Sequence, residues 1–99
     1  MDTLYVTLYP GPRTLVNGLL LEIEDDRLHL RLSAEIEQLE TLYATLWLEP
    51  APINCHLRIL ESSDDPVTGE LRAIAKPVDL SAQERNYLWA RLPVSASSA

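Results

Sequence analysis

The sequence predicts a mainly β fold, a small six-stranded antiparallel barrel with one α-helix at its C-terminal end. Three observations carry this. Apolar and polar residues alternate over several short segments, the period-two signature of strands with one buried face. Gly, Pro, Asp and Ser cluster between those segments, where turns belong. A single capping box, Ser81-Ala82-Gln83-Glu84, precedes the clearest stretch with helical spacing.

The elements follow in order. Residues 3–9 place Leu4, Val6 and Leu8 on one face, and Pro10-Gly11-Pro12 ends that strand. A second strand spans about 15–24, with Leu19, Leu21 and Ile23 on one face and Glu22 and Glu24 on the other. Asp25-Asp26-Arg27 reads as a tight turn into a strictly alternating strand over 28–32. Residues 33–40 have helical propensity but are too few for a helix to stand alone, so they read as a connection. A strand over 41–49 puts Leu42, Ala44, Leu46 and Leu48 inward and Tyr43, Thr45 and Trp47 outward, until Pro50 and Pro52 stop it. The next strand covers 53–61, with Cys55 in phase with Ile53, Leu57 and Ile59. A turn over 62–69 follows, then a last strand over 71–78 whose Pro77 suggests an edge or a bulge. The helix is expected over 81–92, with Leu88, Trp89 and Leu92 at helical spacing and Pro93 as its stop. No internal repeat or linker is apparent. The expectation is one domain over 1–92 and a flexible tail over 93–99.

Composition narrows the function classes. At 46% hydrophobic residues the chain can build a core and is not of the disordered type. No apolar run approaches the roughly 20 residues of a membrane-spanning helix, and no basic segment precedes an apolar run at the N-terminus. These features set the expectation of a cytoplasmic chain without membrane insertion. The net charge of −7, from 15 acidic and 8 basic residues, repels phosphate backbones and anionic lipid, so nucleic acid is not an expected partner. Cys55 is the lone cysteine and can form neither an internal disulfide nor a thiolate cluster.

Catalytic motifs are missing: there is no G-x-S-x-G, no Walker loop, no H-E-x-x-H and no G-x-G-x-x-G. His29 and His56 both point away from the apolar face and lack spaced cysteine or carboxylate partners, so no metal site is expected. Glu22 and Glu24 share a strand face, which is more simply a solvated face than an acid/base pair. The outward aromatics Tyr5, Tyr9, Tyr43 and Trp47 need cover, either from the helix through Leu88, Trp89 and Leu92 or from a partner.

With this pattern laid out, the chain resembles the PilZ family of bacterial cyclic di-GMP receptors. The best local match runs from Gly18 through Leu30, where the family has a glycine, a strand and D/N-x-S-x-x-G leading into a short apolar strand. Val78 to Leu88 is similar to the family's last strand and helix entry. The resemblance implies a six-stranded barrel with a C-terminal helix over residues 3 to 92. It also implies ligand positions at Glu22, Glu24 and Arg27, none of which keeps the family residue. The family's R-x-x-x-R pair has no counterpart, because Arg13 stands alone in a later loop. A cyclic dinucleotide carries two phosphates, which arginine forks usually hold, and Glu24 puts negative charge where such a ligand must approach.

The sequence therefore points to a divergent PilZ-type binding or adaptor domain, not an enzyme. It is expected to have no cofactor, to bind no cyclic di-GMP, and to act through another protein in bacterial signalling or motility. The alternative is a receptor for cyclic di-GMP or another nucleotide with a non-standard site. The expected partner-binding residues are Tyr43, Trp47 and Trp89.

Overall fold

The computed structural model describes residues 4–36 and 40–91. Six strands and one helix follow in order: β1 (Leu4–Gly11), β2 (Thr14–Glu24), β3 (Arg27–Leu32), β4 (Thr41–Trp47), β5 (Ile53–Asp64), β6 (Leu71–Pro77) and α1 (Ala82–Trp89). All neighbouring strands are antiparallel, and they close into a barrel in the order β1-β2-β3-β6-β5-β4. Exchanging the first three strands with the last three reproduces the same ring, so the barrel has a two-fold character. The expected fold class is the observed one. Closure leaves no strand edge to template aggregation.

Alternation explains which side chains fill the barrel. Val6, Leu8, Leu28, Leu30, Leu42, Ala44, Leu46, Leu57, Ile59, Ala73 and Ala75 point inward and are buried. Interleaved small and large residues fill the tapered interior of a small barrel. In β2 the expected inward set was wrong. Val16, Leu20 and Ile23 are buried, while Leu19 and Leu21 are only half-buried. The cause is a register shift between Leu20 and Glu22 against β3. The extra residue reverses the inward–outward phase, as a β-bulge does. A second shift, between Ile59 and Glu61, does the same in β5.

Strand boundaries moved for tertiary reasons. β1 continues through Pro10 to Gly11, and Gly11 pairs with Thr14 across a short turn. β5 runs on to Asp64, because Ser62, Ser63 and Asp64 pair with Ala73, Arg72 and Leu71. The turn then shrinks to the residues around Asp65, whose carboxylate accepts from the Val67 and Thr68 amides. Those two amides hold the Asp65 carboxyl below its ordinary range. Pro77 lies neither on an edge nor at a bulge. It is the last residue of β6 and pairs with Leu57. The Asp25-Asp26 turn is as expected, with Asp25 at φ +56°, a conformation that Asp tolerates.

The helix is shorter than expected, but its start is as read. Ser81 accepts from the Glu84 amide, and Glu84 accepts from the Ser81 amide. Eight residues would not hold a helix in water. Packing does: Leu88 is fully buried in the core, with Leu80, Tyr87 and Trp89 packed against the same cluster. The Tyr87 hydroxyl donates to the Glu49 carbonyl, and Trp89 Nε1 donates to the Asp25 carbonyl at 3.2 Å. The helix thus ties the β2–β3 turn to the segment after β4. Leu92 and the expected tail over 93–99 lie outside the described residues. Among those described, no helix is long and apolar enough to cross a membrane.

Cys55 is 2% exposed on the inward face of β5, opposite Ala44. Burial, reinforced by the nearby charges of Asp79 and Glu84, pushes its thiol up to about 12. A thiolate is the reactive form, so Cys55 should not react with an aromatic disulfide reagent at mildly alkaline pH in the native protein. It should react fully once the chain is denatured. Rapid labelling of the folded protein would contradict this placement.

Candidate binding face

The outward side chains of β1 and β4 form one lattice. The register sets Tyr5 opposite Trp47, Thr7 opposite Thr45 and Tyr9 opposite Tyr43. Outside this pair, Asn17 of β2 faces Thr7, and Asn54 of β5 faces Thr45. A polar row, Asn17–Thr7–Thr45–Asn54, therefore crosses four strands between two aromatic rows.

Hydrogen bonds lock the lattice. Trp47 Nε1 donates to Thr7 Oγ1 at 2.9 Å, and Thr7 Oγ1 donates to Asn17 Oδ1 at 2.9 Å. The order is forced: an indole N–H can only donate, so the threonine hydroxyl must pass its own proton on to Asn17. The second half repeats the arrangement. Tyr9 and Thr45 hydroxyls lie 3.4 Å apart, and Thr45 Oγ1 donates to Asn54 Oδ1 at 2.9 Å. Thr7 and Thr45 face outward yet are only 6% and 5% exposed, because the rings cover them. Their burial costs little, since both hydroxyls are satisfied. The asparagine Nδ2 groups are left with no partner among the described residues, and both asparagines are exposed.

The rings remain open to solvent: Tyr5 is 58%, Trp47 50% and Tyr43 44% exposed. Tyr43 lies between Tyr9, with ring centroids 5.6 Å apart and tilted, and His56, edge-on at 5.3 Å. His56 donates from Nδ1 to Asp79 at 2.7 Å, and its backbone N–H donates to the other Asp79 oxygen at 2.7 Å. These two bonds, the backbone one foremost, hold the Asp79 carboxyl below its ordinary range. The helix does not cover Tyr43 or Trp47, so cover by Leu88 and Trp89 is not how these rings are accommodated.

The other expected site residues sit elsewhere. Trp89 shares no bond or ring contact with Tyr43 or Trp47. It serves the β2–β3 turn, with the Arg85 guanidinium 4.4 Å over its ring. Glu22, Glu24 and Arg27 are brought together on the β2–β3 hairpin, where Glu22 faces His29 and Glu24 faces Arg27. Glu24 also stands 3.7 Å from His29 Nε2. Two carboxylates beside one exposed arginine make a poor cradle for a diphosphate. A cleft of about 150 Å³ lies between β3, β5 and β6, lined by His29, Glu61, Ser63, Arg72 and Ile74. Ligand pockets run to roughly 300–1,000 Å³, so it is too small for a dinucleotide. Among the described residues no group of three or more His, Cys, Asp or Glu could hold a metal ion.

Reading the sequence alone missed Thr7, Thr45, Asn17 and Asn54. The signal was present as a repeat. Leu4-Tyr5-Val6-Thr7-Leu8-Tyr9 and Leu42-Tyr43-Ala44-Thr45-Leu46-Trp47 differ only at Val6/Ala44 and Tyr9/Trp47. The absence of an apparent repeat is thereby corrected: the two copies are the paired strands β1 and β4. No family model matches the sequence, and neither a curated protein nor a solved structure is found similar to it.

Proposed function

We propose that this chain is a non-catalytic binding domain that engages another protein through the outer face of β1 and β4. The observation that carries the reading is the set of three half-exposed rings, Tyr5, Tyr43 and Trp47, held on two strands whose own side chains carry no charge. Exposed aromatics held in place bury large rigid area at small entropic cost, which is why they dominate binding hot spots. The convex outside of a barrel suits a macromolecule better than a small ligand, which needs a concavity. The PilZ-type identity, the signalling or motility context and the cytoplasmic location belong to this proposal. A barrel with a C-terminal helix is what that resemblance implies, but one fold serves many functions.

The test is capture of proteins from a native lysate by the immobilised chain, with Tyr43→Ala and Trp47→Ala beside it. Both variants should lose the captured partner. Tyr43→Ala should leave the melting temperature almost unchanged, and Trp47→Ala should cost about 1 kcal/mol for the hydrogen bond to Thr7. Equal capture by all three proteins would remove this face from the function. Calorimetric titration with cyclic di-GMP should show no binding. Micromolar affinity, or a nucleotide retained through purification, would favour a receptor instead.

A further inference from the structure

The repeated strands make the binding face two-fold. An antiparallel pair has a local dyad perpendicular to the sheet, and here it passes between Thr7 and Thr45. It exchanges Tyr5 with Tyr43, Tyr9 with Trp47 and Asn17 with Asn54. The hydrogen bonds follow the same operation: ring donor to threonine, threonine to asparagine oxygen, once on each side.

This symmetry leaves a particular inventory on the surface. Each half presents one outward asparagine whose Nδ2 hydrogens can donate and one exposed phenol whose oxygen can accept. Asn17 and Tyr5 form one set, Asn54 and Tyr43 the other. A second copy turned over onto this face can set its amides against these phenols and its phenols against these amides. That reciprocity is what an isologous interface requires. The chain carries −7, so two copies repel at long range and approach each other best where that charge is absent. The outward side chains of β1 and β4 carry no charge, and at their border Asp79 is already bound to His56. A basic partner would be served better by a face with free carboxylates.

We infer that this face docks a second copy of the chain, forming a two-fold homodimer through β1 and β4. The inference rests on the proposed binding reading and supplies its partner. Buried aromatic side chains cover about 150–250 Å² each, so the three half-exposed rings offer roughly 300 Å² per copy. The bordering Leu15, Asn17, Leu19 and Asn54 extend this toward the roughly 600 Å² per partner of small, weak interfaces.

Sedimentation equilibrium of the purified full chain tests this, with Tyr5→Asp, Tyr43→Asp and Val67→Asp as variants. Val67 is exposed in the turn after β5 and adds the same charge away from the face. The wild-type chain should dimerise, and more tightly at higher salt, because screening relieves the repulsion between copies. Tyr5→Asp and Tyr43→Asp should each weaken the dimer about 30-fold or more, with unchanged melting temperature, and Val67→Asp should not. A chain that stays monomeric throughout, or a dimer indifferent to Tyr5→Asp and Tyr43→Asp, overturns the inference. So does an equal loss with Val67→Asp. A monomer that still captures a different protein through Tyr43 and Trp47 defeats only the homodimer. A dimer whose face variants capture lysate proteins as well as wild type defeats only the reading of the face as an adaptor.

Discussion

Leu88→Ala should destabilise the folded chain by about 3 kcal/mol, within the 2–5 kcal/mol typical of a buried leucine reduced to alanine. Leu88 is fully buried and is the helix residue that reaches the barrel core. Losing it leaves a cavity at that end of the barrel and removes the main reason an eight-residue helix stays folded. Domains of this size are stable by about 5–15 kcal/mol, so the loss is a large fraction of the total. The melting temperature should fall by roughly 10–20 °C. Urea denaturation followed by Trp fluorescence would measure it, since Trp89 also loses its place on the β2–β3 turn. A change under about 0.5 kcal/mol, the range of ordinary surface substitutions, would show that the helix is not docked.

Gly18→Ala should be comparably costly for a different reason. A Cβ at Gly18 would stand 2.5 Å from the Arg31 carbonyl oxygen and 3.0 Å from Leu32 Cδ2. The first contact is with backbone, which cannot rotate away. Gly18 sits where β2 pairs with both β1 and β3, opposite Val6 and Leu32, so either seam must shift. Overpacking of this kind costs about 1–3 kcal/mol and sometimes more, and Gly18→Val should prevent folding or nearly so. Thermal melts of the two variants would decide it. An Ala variant as stable as wild type would mean that β3 lies further from Gly18 than described.

Much of the barrel was legible because its strands have one wet and one dry face. Residues 28–32 and 53–59 alternate without interruption, and the pleat turns that alternation into burial; over 42–46 the sequence alternates too, but outward Thr45 is covered. Leu19-Leu20-Leu21 could not be phased in the same way. Three leucines in a row carry no period, and the bulge that decides among them depends on pairing with β3. Ser62-Ser63-Asp64 has the composition of a turn, and only its pairing with β6 makes it strand. The exposed rings at Tyr43 and Trp47 followed from parity alone. Their hydrogen-bonded support did not, because it needs the knowledge that β1 lies beside β4. Trp89 was grouped with them on residue type, but its indole N–H found a carbonyl on the β2–β3 turn.

The ring order also governs how the chain must find its structure. Four of the six seams join strands adjacent in sequence and can zip as hairpins in microseconds. The other two, β1 with β4 and β3 with β6, bring together residues as distant as Leu28 and Ala75. Each half is then a three-stranded sheet with both edges bare until these seams form, and loop-closure entropy is lost before either seam rewards it. That places folding with the slow, millisecond-to-second all-β class. In that interval the near-identical strands β1 and β4 of different molecules expose the same unpaired edge. Early misassembly during synthesis or refolding is thus a kinetic hazard that the native closed barrel no longer presents.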